Sequence, residues 1–334
     1  MFDLVKDRPR NANIELYRCL CILGIILLHA ITWGPFNCRG LDNLGNTGVI
    51  GFVLISAWFG VKFRMSKVIK IVAIAYLSSL VSYIICTGCC HPKCLAVGAW
   101  HYACACWYVW AYLLLMLLSP WVDRSIEMIG ANRQELIRVA LGTSVLLFAW
   151  GSLTTVPSIR KYVPRTAGLE ELSGVMLFAV YAIARVVFKT ARPIGVRWVV
   201  CIVIVSGIFV YMGFRHVFSP IAFVFAYGLF ELVRRIKLPQ KIAWLVCLIS
   251  PSVFSIYVIH AQFTVLFAEA EKTLQGGGPL MICFLVTVIT FIGCFLLDIP
   301  RRFLGWILRS FLRSYMSKID GAVDLICHKV SRIA

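Results

Sequence analysis

The chain has 334 residues, 60% of them hydrophobic and only 14% charged, against about 25% charged in an average soluble domain. The apolar residues come in runs close to the roughly 20 that cross a bilayer as a helix, and the runs do not alternate as barrel strands do over about 10 residues, so a soluble fold and a membrane barrel are both excluded. A net charge of +18 would suggest nucleic acid in a soluble protein, but these cations cluster in short connectors, where they set membrane topology, and no nucleic-acid partner is expected.

The fold class read from this pattern is all-α: a polytopic membrane protein of about ten transmembrane helices with both termini cytoplasmic. Residues 1–13 form a short N-terminal segment. The spans follow at 14–33, 47–63, 68–86, 103–120, 137–152, 169–188, 196–213, 217–233, 242–266 and 279–298. The first is not a cleaved signal sequence. Its apolar run outlasts the about 7–15 residues of an h-region, and no A-x-A-like site follows it. With the N-terminus inside, 25 of the 33 Lys and Arg residues fall in inner segments and 7 in outer ones, Arg18 lying within a span. That bias supports both the orientation and an even number of spans. The last segment, 301–334, alternates apolar and basic residues. Phe303, Ile307 and Phe311 form one stripe and Leu304, Leu308 and Leu312 another, as in an amphipathic helix on the inner membrane surface.

The first span carries an arginine and a histidine, Arg18 and His29, eleven residues apart. At about 100° per residue the two point the same way, and they are separated by about 16 Å along the axis. An ionisable group inside a span usually faces a cavity or a partner. Two on one face suggest a lined passage with an end at each leaflet. Neutral imidazole can take a proton from a hydroxyl near pH 7. A guanidinium stays charged and offers a planar fork to phosphates. Snorkelling accounts for Arg18 alone, and packing accounts for His29 alone; their shared face weakens both explanations together.

The segment NIELYRCLCILGIILLHA resembles the first helix of the membrane-bound acyltransferase 3 family, bacterial enzymes that O-acylate surface polysaccharides. That helix has a basic residue, ten intervening residues and then histidine. GFVLISAWF at 51–59 is similar to the family's second-helix Ser-Gly motif, with Ser56 present and Ala57 in place of glycine. KFRMSK supplies Arg64 and Lys67, like the basic pair of the following cytoplasmic loop. WYVWAYLLLMLLSP at 107–120 resembles the fourth-helix segment, without the Glu-rich stretch of many relatives. SPSVFSIYVIHAQF at 250–263 is similar to the late motif with Tyr257 and His260, and LDIPRRF at 297–303 to the acidic-x-Pro-basic ending of the core.

The resemblance covers about residues 10–310 and implies an acyltransferase-3-like domain over 14–300. It implies transfer of an acyl group, usually acetyl, from cytoplasmic acyl-CoA to a hydroxyl of a glycan or lipid-linked saccharide at the outer side of the plasma membrane. Acyl-CoA would be a co-substrate, with no permanently bound cofactor, and membrane lipids the surroundings. In this scheme His29 is the general base or a transient acyl carrier, and Arg18, Arg64 and Lys67 hold coenzyme A phosphates. Ser56, Tyr257 and His260 lie on the acceptor side or support His29. Asp298 ends the last span at the inner side, where Arg18 or Arg301 could pair with it, and Glu15 competes for Arg18.

The stretch 86–106 holds six cysteines and two histidines in a predicted outer loop and its flanks. The spacing fits no zinc site cleanly; an outward-facing loop permits disulfides, and free thiols are the remaining reading. No metal is expected. GGGP at 276–279 reads as an outer turn. The rival function is a transporter or flippase of an envelope precursor, since intramembrane charges also mark substrate paths, but no related halves are visible. A racemase with a similar membrane module would need a long soluble domain, which the residues after Pro300 do not supply.

Overall fold

The computed structural model describes residues 11–33, 40–88, 91–129, 132, 134–139, 141–143, 145, 169–213, 219–273 and 278–330. The N-terminal cations Lys6, Arg8 and Arg10, the second half of the span expected at 137–152, Cys89, Cys90 and Gly276 and Gly277 of the GGGP turn lie outside them.

The elements among the described residues are all helices, with no strand. The helices are α1 (Ala12–Trp33), α2 (Leu41–Phe59), α3 (Met65–Thr87), α4 (Pro92–Ala105), α5 (Trp107–Ile129), α6 (Leu169–Thr190), α7 (Val196–Tyr211), α8 (Pro220–Arg235), α9 (Gln240–Ile249), α10 (Val253–Thr273), α11 (Pro279–Ile307) and α12 (Arg309–Val330). Four of the described spans are long and apolar enough to cross a membrane: α1, α3, α9 with α10, and α11. A fifth is added if α4 and α5, bent by 66°, count as one. This is fewer than the ten spans read from the sequence. The span expected at 137–152 lies largely outside the described residues, and among the described residues the difference lies in helices that are short or carry charge. Both α7 and α8 have 16 residues, and α8 contains Glu231, Arg234 and Arg235. Within α8, Glu231 pairs with Arg234 and Arg235.

At the core, α1 and α2 run antiparallel in close contact. A Cβ at Gly45 would strike the carbonyl of Gly24, one at Gly48 the carbonyl of Cys21, and one at Gly51 the sulfur of Cys21. Small residues at three- and four-residue spacing let two backbones approach where lipid supplies no hydrophobic drive between helices. Tyr17 then reaches across to α8, its hydroxyl donating to the Ala226 carbonyl at 2.8 Å. Ile22, Ile26, Ile50 and Leu54 fill the space between, each nearly fully buried.

Two boundaries differ from the sequence reading. The expected outer loop contains α4, which packs on α3 with Gly98 against the Tyr83 ring. The last core helix continues through Pro300 to Ile307, so the stripe residues at 303–307 belong to α11 and the separate tail helix begins at Arg309. A helix of 29 residues is about 43 Å long. It exceeds a hydrocarbon core of about 30 Å and must tilt or project beyond it.

Candidate functional site

Arg18 and His29 lie at opposite ends of α1 and are both half-buried. Arg18 pairs with Glu15 one turn below. This decides the competition for Arg18, because Asp298 is taken by Arg301 through two contacts of 2.5 and 2.8 Å. Asp298 is 1% exposed, so a bidentate partner on its own helix removes an otherwise costly buried charge. The Arg18 side chain keeps 28% of its surface exposed, and its charge acts on Cys21 and on Tyr108 of α5.

His29 meets His260 of α10, with ring centroids 5.2 Å apart and planes tilted by 38°. His260 is 2% exposed. Its Nδ1 lies 2.5 Å from the Tyr257 carbonyl oxygen. A carbonyl can only accept, so Nδ1 carries the hydrogen and Nε2 of the neutral ring is the basic nitrogen. The Tyr257 ring is 5.6 Å from His260 and 5.4 Å from Tyr108, and Tyr108 stacks on Tyr112 at 6.1 Å. The ring contacts therefore run from Tyr112 through Tyr108, Tyr257 and His260 to His29. The apolar cavity of about 250 Å³ lies elsewhere, between α5 and α6, lined by Trp121, Ile126, Phe178 and Ile183.

Ser56 stands apart from the histidines. The register fixed by Gly45, Gly48 and Gly51 carries the C-terminal half of α2 past Cys21 and Tyr17, toward the Arg18 end of α1. The Ser56 hydroxyl donates to its own helix at the Phe52 carbonyl, 2.9 Å away. It is therefore not beside His29, where the motif had put it on the acceptor side.

Arg64 is the N-cap of α3, and Arg64 and Lys67 are both exposed. The connector leading to them, Gly60–Arg64, is held by residues that the sequence reading did not single out. The Tyr181 hydroxyl accepts from the Val61 N–H at 3.2 Å and donates to Asp123. Ser119 donates to the Val61 carbonyl at 3.0 Å. Arg185 pairs with Asp123 at 2.7 Å and donates to the Ala57 carbonyl at 2.9 Å. Gly60 sits at φ +70° under the Arg185 guanidinium, a left-handed conformation that costs glycine little. The sequence signal was an acid just past the span read at 103–120 and an arginine near the end of the span read at 169–188, which had been counted only as a topological cation.

A second cluster forms where α8 ends beside the start of α1. Glu231 accepts from Arg234 at 2.7 Å and Arg235 at 2.9 Å, the Arg234 guanidinium lies 5.0 Å from the Trp58 ring centroid, and Asn13 caps the carbonyls of Arg234 and Ile236. In the 86–106 region, Cys86, Cys94, Cys104 and Cys106 are free thiols. No group of three or more metal-binding side chains occurs among the described residues.

A family model described as an acyltransferase domain matches residues 11–299. The chain belongs to the acyltransferase 3 family. The match starts just before α1 and ends one residue past Asp298, so it takes in the histidine pair, the Arg18–Glu15 pair and the connector between α2 and α3, and it leaves out the tail helix. No curated protein and no solved structure matches the chain. For a membrane acyltransferase, the arrangement offers an imidazole pair at one end of α1 and guanidinium and ammonium groups at the other.

Proposed function

We propose that this acyltransferase moves an acyl group, acetyl being the simplest, from cytoplasmic acyl-CoA to a hydroxyl of a cell-envelope glycan on the far side of a bacterial plasma membrane. In this reading the helices make ten crossings with both termini in the cytoplasm. The Arg18 end of α1 then faces the donor and the His29 end the acceptor. What carries the reading is the pairing of His29 with His260 on a helix that holds Arg18 about 16 Å away along its axis.

Arg18, Arg64 and Lys67 bind the donor's phosphates by charge and hydrogen bonds. The extended pantetheine arm carries the thioester along the tyrosine row toward His29. His29 takes the proton of the acceptor hydroxyl as the oxygen attacks the thioester carbon. The new C–O bond forms, the C–S bond breaks, and the thiolate leaves and is protonated to give free coenzyme A. His260 keeps its Nε2 toward this chemistry because its Nδ1 hydrogen is held by Tyr257.

Replacing His29 by alanine tests the proposal directly. In purified protein supplied with labelled acetyl-CoA, the variant should be as abundant as wild type and transfer no acetyl group. Full transfer by the variant refutes the assignment. A protein that moves substrate across the membrane without cleaving the thioester would be a carrier instead.

A further inference from the structure

Asp320 of the tail helix α12 sends both carboxylate oxygens to Ser66, 254 residues away in the chain. Oδ1 accepts from the Ser66 N–H at 3.0 Å and Oδ2 from its hydroxyl at 2.6 Å. Ser66 is the second residue of α3. The first N–H groups of a helix have no partner within it, and that end carries partial positive charge. The N-cap residue Arg64 makes no side-chain capping bond, so a carboxylate from a distant helix does the capping. The charges of Arg64 and Lys67 also act on Asp320. Two donors from one residue and two flanking cations suit a phosphate at least as well as a carboxylate, since a phosphate brings more charge and a third acceptor oxygen.

We propose that Ser66, with Arg64 and Lys67, is the point at which a phosphate group binds, and that Asp320 holds this point in its absence. The tail helix is then a built-in competitor of its phosphate ligand. Assigning the phosphate to coenzyme A rests on the donor reading above; lipid headgroups present the same chemistry.

The experiment uses the full-length protein in phosphatidylcholine nanodiscs with trypsin, which has sites in α12 at Arg309, Arg313, Lys318 and Lys329. Release of the C-terminal peptide is followed by mass spectrometry. Coenzyme A should speed tail release several-fold in wild type. Asp320→Ala should release the tail as fast without coenzyme A, and coenzyme A should then add nothing. The same variant should show a several-fold lower KM for acetyl-CoA with kcat unchanged, and Ser66→Ala should weaken the response of wild type to coenzyme A. Tail release that is no faster in Asp320→Ala, or a wild type that ignores both coenzyme A and phosphatidylglycerol, overturns the proposal. Phosphatidylglycerol discs that free the tail while coenzyme A has no effect assign the site to lipid and overturn the donor assignment. Proteolysis is read without turnover. A wild type that transfers no acetyl therefore defeats the donor reading, while displacement of Asp320 is judged from tail release alone.

Discussion

The imidazole rings of His29 and His260 lie 5.2 Å apart across the seam between α1 and α10, and the Nδ1 of His260 is committed to the Tyr257 carbonyl on its own helix at 2.5 Å. That bond and the two helices divide the work. The tautomer of His260 is fixed by Tyr257, so its position is a property of α10 alone. His29 stands on the helix that also carries Arg18, and it is the ring whose height is tied to the basic end.

His260 should therefore matter for the chemical step and not for donor capture. His260→Ala is expected to lower kcat by roughly 10²–10⁴-fold, the range for losing a positioned proton-transfer group. The KM for acetyl-CoA should change little, because the phosphate-binding groups lie at the other end of α1. Release of free coenzyme A by purified, abundance-matched protein measures both constants. A loss confined to KM would count against the pairing.

The connector latch makes the opposite split. Tyr181→Phe removes the acceptor of the Val61 N–H and the donor to Asp123 while keeping the ring. Leaving buried polar groups unpaired costs about 1–3 kcal/mol, so the thermal midpoint should fall. If the latch positions Arg64 and Lys67, the KM for acetyl-CoA should rise several-fold with kcat nearly preserved. An unchanged KM at equal abundance would make the network a support for α2 and α6 only.

Much of this site was legible in the sequence because helical periodicity is strict. Eleven residues fix the relative direction of Arg18 and His29 whatever surrounds them. Partners on other helices were not legible. The contact of His260 with His29, of Asp123 with Arg185 and of Asp320 with Ser66 each depends on how helices distant in the chain pack. Local pairs fared better: Glu15 one turn from Arg18, and Arg301 three residues after Asp298, were both among the alternatives, and the structure selects them. Ser56 shows the limit of motif reading. Its position on α2 is as expected, but the antiparallel register set by three glycines carries it toward Arg18 and away from His29. Length and hydropathy pass only four or five of the described spans as membrane crossings, because short and charged helices such as α8 draw on neighbours for their polar groups, and hydropathy alone does not see those neighbours.

The α1–α2 contact gives a stability prediction. Gly48→Val places side-chain atoms against the Cys21 carbonyl and Ile25. Overpacking a dense core costs about 1–3 kcal/mol, and here the obstruction is backbone, which cannot rotate aside. The thermal midpoint in detergent should fall, and activity with it, because α1 carries both Arg18 and His29. Gly142→Ala, at a glycine whose Cβ would have nothing within 4 Å, should leave the midpoint where it is or raise it slightly by favouring helix. Equal losses in both variants would show that the glycines of α2 are not what sets the helix approach.

Docking of the tail should depend on pH with a definite sign. Hydrogen bonds from the Ser66 hydroxyl and backbone N–H hold the Asp320 carboxyl below its ordinary value, with the charges of Arg64 and Lys67 acting in the same direction. A depressed carboxyl favours the docked state wherever the free form is also ionised, that is, above the ordinary carboxylate range near pH 4. That contribution fades as pH falls through the lower value of the docked form. Arginine and lysine stay cationic across this window and serine does not titrate, so among the groups of this contact Asp320 is the one that changes. Hydrogen exchange of the α12 amides, corrected for the intrinsic pH dependence of exchange, should show constant protection from pH 7 to about pH 5 and a loss of protection below about pH 4. Asp320→Ala should lack that transition and exchange quickly at every pH. Protection that rises on acidification, or a transition that survives in the variant, would mean that the carboxylate is not what holds the tail against α3.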